Sequence, residues 1–307
     1  MKIGLLLGGL TDAGTLGALA AAAEARGFDS LWAGDHIAFP GPILDPLQLL
    51  ACFASHTQRV RLGTCVYLLP LRHPTVVAKM VASLDFISGG RVIFGVGVGG
   101  EFPGEFQASG VPVTERGART NEAIGVLRRL WQGEPAGHTG RFFRFDPVQL
   151  KPPPRQPSGP PIWIGGRSDA ALRRTAQYGD GYVGYLLSPD GFRERFARIR
   201  ALAVARDQPG HPITAALMTF AVVDPDRNAA LERAGAILGA MYARPMQTAA
   251  ARYCVAGTAD DCRAALQRYA DAGVEHLILT PLAYGDGTLE QIHALAAALE
   301  LTAPPPD

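Results

Sequence analysis

The run LDFISGGRVIFGVGVGG occupies residues 84–100 of a 307-residue chain and changes its period in the middle. Val76, Val77, Met80, Leu84 and Ile87 recur at helical spacing, and the Gly89-Gly90 pair that follows ends a helix, because glycine enters the left-handed region without steric cost. Val92, Ile93, Phe94 and Val96 then form a nearly continuous β-branched and aromatic run, the pattern of a strand covered on both faces in a parallel sheet. Gly95, Gly97, Gly99 and Gly100 crowd its carboxyl end. Parallel α/β proteins hold their ligands at the carboxyl ends of strands, so the missing side chains leave room for a flat ligand against the backbone. The alternative is that these glycines relieve crowding inside a barrel.

Working outward, the same alternation of strand and helix recurs along the chain. Strands are expected at residues 2–7, 30–33, 61–66, 92–96, 162–164, 181–184, 214–223 and 276–279, each with a helical pattern after it. Eight such units argue for an α/β fold of the (β/α)₈ TIM-barrel type, with a doubly wound open sheet as the competitor. An insertion at about 135–160 follows the fourth helix: a small hairpin over 137–150, then a proline-dense linker. Extra helical segments precede the eighth strand, one of them starting at Thr258 with Asp261 as its capping partner. Residues 101–115 have no period and two prolines and read as a loop over the strand ends. Residues 1–302 read as one domain and the proline tail 303–307 as disordered.

Composition narrows the function classes. Lys plus Arg total 29 against 28 for Asp plus Glu, so neither a nucleic acid nor an anionic membrane is an expected partner, and a small-molecule substrate is. Cys52, Cys65, Cys254 and Cys262 lack metal-ligand or disulfide spacing, which points to no metal site and a reducing, cytoplasmic setting. The opening MKIGLLLGGL is interrupted too early for a membrane span and reads as the first strand.

In a barrel, Asp35-His36, Thr64-Cys65-Val66, residues 97–101 and residues 165–168 all face one mouth. His36 is the natural proton donor or acceptor near neutral pH, and Asp35 or Glu101 could orient it, which makes His36 and Glu101 the catalytic candidates. Gly165-Gly166-Arg167-Ser168 joins a strand to a helix, so free N–H groups and the Arg167 guanidinium suit a phosphate; Ser168 as a plain helix cap is the alternative. The residues open to a ligand at that mouth are therefore Asp35, Thr64, Cys65, Val66, Gly97, Gly99, Gly165, Gly166, Arg167 and Ser168. A Rossmann reading of residues 95–100 fails because Glu101-Phe102-Pro103-Gly104 follows where a helix should start directly.

With these residues assembled, the chain resembles the luciferase-like monooxygenase family of flavin and deazaflavin oxidoreductases. The resemblance runs through GFDSLWAGDH (27–36), RLGTCVYLLPLRHP (61–74), residues 84–102, ERGARTNEAIGVLRRLW (115–131), GRFFRFDPVQLKPPP (140–154), PPIWIGGRSDAALRRTAQYGDGYV (160–183) and GTADDCRAALQRYADAGVEHLIL (257–279). It implies a TIM barrel with an insertion, usually a homodimer, holding an isoalloxazine or deazaflavin ring at its mouth. The branch it resembles most uses coenzyme F420: Asp35-His36 falls where that branch keeps its histidine, and Cys65-Val66 where the backbone bulges behind the ring. A cis peptide bond between Cys65 and Val66 is the geometric expectation that comes with this bulge. Two positions depart from the pattern. Phe39, Pro40 and Gly41 stand where some members of the branch have a tryptophan, and Glu101 matches their glutamate only if the glycine run is shifted by one.

The resemblance implies hydride exchange between F420 and an unidentified small organic substrate, with His36 handling the proton. An FMN-dependent monooxygenase supplied by a separate flavin reductase is the rival within the family. A barrel that binds flavin without turnover is the rival from another class.

Overall fold

The structure is a computed structural model that describes residues 1–8, 12–204 and 212–303. Eight parallel strands form its centre: β1 Lys2–Leu6, β2 Ser30–Ala33, β3 Arg61–Thr64, β4 Val92–Gly97, β5 Ile162–Gly165, β6 Gly181–Tyr185, β7 Thr214–Val223 and β8 His276–Pro281. Each pairs with its neighbours in chain order, and β1 closes the circle on β8 with Lys2 opposite His276. Around them run α1 Leu16–Ala25, α2 Pro46–Ser55, α3 Pro74–Ile87, α4 Arg116–Leu130, α5 Asp169–Tyr178, α6 Pro189–Val204, α7 Ala259–Asp271 and α8 Asp286–Ala298, each packed against the next and α1 against α8. This is the (β/α)₈ barrel, and the open-sheet alternative falls.

Local chemistry explains the element ends. Every residue of β4 is buried, as its unbroken apolar run requires. The helix α3 before it stops where Gly89 and Gly90 take φ of 74° and 87°. Asp45 caps α2 by accepting from Leu47 N and Gln48 N, with Pro46 in the first turn. At α7, Thr258 and Asp261 form the reciprocal capping box that their spacing suggested.

Three stretches differ from the sequence reading. The expected loop 101–115 contains a helix, Pro103–Ala108, and a single turn, Val113–Glu115. It folds because Phe106 finds a small apolar cluster with Leu68, Leu71 and Val111, while Pro103 presets the first helical φ. Strand β3 ends at Thr64, two residues short of expectation, and the chain pairs with β4 again only at Tyr67 and Leu68. Between β7 and α7, the unpatterned stretch holds a helix, Gln247–Tyr253, and a strand, Val255–Gly257, that extends the sheet beside β7. With Arg227–Tyr242 these are the extra segments before β8. The hairpin of the insertion pairs Ala136–Thr139 with Arg144–Val148. Glu122 of α4 anchors it, accepting from the backbone of Phe142 and Phe143. From residue 304 on, the tail lies outside the described residues.

The barrel interior is plugged by aromatic rings. Trp32 and Trp163 lie 5.2 Å apart between centroids, and His276 meets both edge-on at 5.7 and 5.4 Å. Ser30 Oγ accepts the Trp32 indole N–H at 2.7 Å, which leaves its hydroxyl hydrogen for His276 Nε2, also at 2.7 Å. Below the plug, at the amino ends of the strands, a cavity of about 390 Å³ is lined by Lys2, Arg61, Asp180, Thr214, Glu275 and His276. Chemistry in parallel barrels sits at the other end, so this polar floor is read as structural.

Burial first, then the Lys2 and Arg61 charges, push His276 from an ordinary 6.5 down to about 3. Its neutral form is therefore the folded form, and its stability contribution is intact above the unfolded value. As pH falls from 6.5 toward 3, the unfolded chain takes up a proton that the folded chain refuses. At pH 5 this costs about 2 kcal/mol. A His276→Asn variant, less stable at pH 7, should lose about 2 kcal/mol less than wild type between pH 7 and pH 5 in denaturant unfolding. Equal losses in the two proteins would clear His276 of the acid sensitivity.

Candidate active site

Because all eight strands are parallel, the residues that follow them collect at one mouth. Asp35 and His36 follow β2, Cys65 and Val66 follow β3, the 98–105 segment follows β4, and Gly166, Arg167 and Ser168 follow β5.

His36 is the centre of the β2 side. Its side chain is 23% exposed, and Nδ1 lies 3.2 Å from both carboxylate oxygens of Glu105, which is 1% exposed. Glu105 also accepts from the backbone of Ile37 at 2.6 Å and of Ala38 at 3.1 Å. Every bond Glu105 makes is one it accepts, so Nδ1 is the nitrogen that carries the hydrogen and Nε2 is the nitrogen left for a substrate. The ring is stacked on Phe39 at 4.6 Å and meets the edge of Phe102 at 5.2 Å.

Neither carboxylate expected from the sequence to orient His36 does so. Asp35, 3% exposed, accepts from Leu68 N at 2.8 Å and from both terminal nitrogens of Arg72 at 2.5 and 2.9 Å. It fastens the end of β2 to the segment after β3. Glu101 is exposed and makes no hydrogen bond among the described residues; its charge acts on the Tyr242 hydroxyl instead. The residue that sequence reading missed is Glu105. Its signal was present in Phe102-Pro103-Gly104-Glu105-Phe106: a proline that starts a helical turn, then a glutamate beside an aromatic that must turn inward.

The β3 side is a backbone bulge. Thr64 Oγ1 donates to the Gly95 carbonyl at 2.7 Å, and the Cys65–Val66 peptide bond is cis. Cys65 and Val66 are half-buried between the buried Thr64 and Tyr67. Burial pushes the Cys65 thiol up to about 12, so it stays a neutral thiol and not a nucleophile. For the neighbouring glycines the structure supports relief of crowding, the alternative that their sequence left open. A Cβ on Gly97 would stand 2.3 Å from Val66 Cγ2, and one on Gly165 2.6 Å from Val66 Cγ1. These two positions are notches that take the Val66 side chain and hold the bulge in place. Gly99 likewise faces Leu68 and Phe106, within 3.3 Å of a built Cβ.

At β5 the geometry is more open. Ser168 caps α5 by accepting from Ala171 N at 3.3 Å, and the Gly166 carbonyl accepts the Tyr182 hydroxyl at 3.0 Å. Arg167 is exposed, lies 5.6 Å from the centre of the Tyr185 ring, and has no carboxylate partner among the described residues. A cation without a partner at the start of a helix, with a serine hydroxyl beside it, is a set that fits a phosphate. Burial, then the Glu101 charge, push the Tyr242 hydroxyl up to about 12, so this rim residue is a neutral donor. No group of side chains suited to a metal ion occurs among the described residues. No described helix is long and apolar enough to cross a membrane.

Comparison with known proteins agrees with the fold. A family model described as luciferase-like monooxygenase matches residues 5–276. An uncharacterised protein of Mycobacterium tuberculosis is 34% identical over 204 residues, 60% of this chain and 69% of that one. The F420-dependent glucose-6-phosphate dehydrogenase of Nakamurella multipartita is 35% identical over 173 residues, 54% of this chain and 50% of its own length. Other relatives of similar identity are the 4-hydroxyprotoasukamycin monooxygenase of Streptomyces nodosus and the oxygenase component of a flavin-dependent trigonelline monooxygenase of Acinetobacter baylyi. The crystal structure of a monooxygenase from Streptomyces bottropensis superposes with a TM-score of 0.84 at 25% identity, over 98% of this chain and 99% of that one.

The Asp35–Arg72 pair yields a stability prediction. Removing one member of a buried pair costs ~3–5 kcal/mol, and the 21% exposure of Arg72 places Asp35→Ala at or below the lower end. Adding Arg72→Met should recover part of the loss, since the uncompensated charge is then gone. Urea unfolding of the single and double variants reads this; a single-variant loss under about 1 kcal/mol would mean that Leu68 N and Arg72 find other partners.

Proposed function

The chain belongs to the luciferase-like monooxygenase family, and on that premise we propose that it is an F420-dependent oxidoreductase in which His36 handles the proton of a small organic substrate. The observation that supports this most is the His36–Glu105 pair. An imidazole fixed through Nδ1 by a buried carboxylate presents Nε2 in one orientation, which is what proton exchange with a bound alcohol or carbonyl oxygen requires.

The residues at the mouth fit the cofactor class. Arg167 and the start of α5 would hold a phosphate, and the Cys65–Val66 bulge would stand behind a flat ring. When bound, the cofactor supplies the hydride chemistry. The protein's share is to hold Nδ1 of His36 and to offer Nε2, with the ring steadied against Phe39 and Phe102. FMN with molecular oxygen and a separate reductase is the second reading, supported by the flavin-dependent trigonelline monooxygenase component among the relatives.

Equilibrium titration with F420 and with FMN separates the two. F420 should bind more tightly, and Arg167→Ala should weaken it about tenfold, the lower end for a charge-assisted contact at an exposed site. Tighter FMN binding with oxygen consumption would move the protein to the monooxygenase reading. His36→Ala should bind cofactor as wild type does and lose ~10²–10⁴ of turnover. Unchanged turnover would remove His36 from the chemistry.

A further inference from the structure

The segment that follows His36 reads Ile37-Ala38-Phe39-Pro40-Gly41-Pro42-Ile43-Leu44, eight residues without a polar side chain. It belongs neither to a strand nor to a helix, and it does not fold into the core: Ile37 is 45% and Leu44 43% exposed. Surface loops are ordinarily polar, and a contiguous exposed apolar stretch marks a binding site. This one is joined to the reacting residue. Its first two amides donate to the same Glu105 carboxylate that holds His36, and its Phe39 is stacked on the His36 ring.

The arginine that both ends of this loop share is already committed. Arg72 is bound to Asp35 and lies 3.5 Å from Asp45. Arg119 pairs with Glu115 at 3.8 Å, while Arg116 donates to the Val113 carbonyl at 2.7 Å and has no carboxylate partner among the described residues. Arg167 follows β5, three strands further round the barrel, where the cofactor phosphate has been placed. A substrate bearing a phosphate or carboxylate beside its reacting oxygen would meet the Glu105 charge that holds His36, with Arg72 already paired to Asp35.

We propose that the substrate is an uncharged, predominantly apolar molecule, received by the 37–44 loop with its reacting oxygen at His36 Nε2. The proposal rests on the reading of His36 as the proton-handling residue and names the substrate class of that site. A phosphorylated sugar or a carboxylic acid is thereby the wrong class.

The test uses the full-length protein with ¹³C-labelled histidine and two probe series, the 2-alkanones from butanone to octanone and the alkanoates of matching length. Binding is followed by the shift of the His36 Cε1 signal, assigned with His36→Gln. The ketones should tighten by up to about fourfold for each added methylene. Alkanoates of equal length should bind at least tenfold more weakly. An Ile37→Ser, Leu44→Ser double variant, checked for an unchanged melting temperature, should flatten the dependence on chain length. Alkanoates or glucose 6-phosphate binding as tightly as the ketones would overturn the proposal, as would a ketone affinity independent of length. So would an oligomer, seen in sedimentation, that Ile37→Asp and Leu44→Asp dissociate while ketone affinity stays put, because the loop would then be covered by a second copy. No cofactor enters the titration, so a failure of F420 to bind is read separately and leaves the result standing.

Discussion

Glu105 joins two loops that the barrel by itself would only bring near each other. The loop after β2 and the short helix after β4 belong to strands separated by β3, and one buried carboxylate accepts from Ile37 N, Ala38 N and His36 Nδ1 at once. A buried charge is tolerated only when its acceptor sites are filled, and here the filling is done by the groups that need positioning. The His36 ring, the start of the apolar loop and the Pro103–Ala108 helix are therefore one unit. Phe106, packed on Leu68 and Leu71, anchors that unit to the segment Asp35 holds from the other side.

Most of the architecture was legible because it rests on period. The switch at Gly89-Gly90 from helical spacing to an unbroken apolar strand recurs through the chain, and eight repetitions leave little besides a barrel. Parallel strands then place the residues after them at one mouth, which is why His36, Cys65, Val66 and Arg167 could be grouped from sequence alone. What period cannot show is which side chains meet. Asp35 adjoins His36 in sequence, yet it turns to Arg72 and Leu68 N, because a buried carboxylate goes to the donors that can satisfy it. Glu105 lies 69 residues away from its partner, within a stretch whose two prolines masked a helical turn. Gly97 and Gly165 carried a signal whose cause sequence leaves open, since a glycine that makes room for a ligand and one that makes room for Val66 look alike there.

The two ends of the barrel are kept chemically apart. The plug of Trp32, Trp163 and His276 separates a polar floor from the mouth, and the neutral His276 sits in it as a hydrogen-bonded ring. Two histidines at barrel strands thus have opposite uses. His276 keeps both tryptophan edges and the Ser30 hydroxyl, which leaves it nothing to offer a substrate. His36 spends one nitrogen on Glu105 and keeps the other.

The tautomer of His36 is the point on which this account turns. Long-range ¹H–¹⁵N correlation spectra of histidine-labelled protein distinguish a protonated Nδ1 from a protonated Nε2 directly. The account requires that Nδ1 carry the hydrogen in the wild type, and that Glu105→Gln, which removes the carboxylate while keeping its shape, shift the balance toward Nε2–H. A wild-type ring protonated at Nε2 alone, with no change in the Glu105 variant, would contradict it and leave His36 without the orientation on which its role depends.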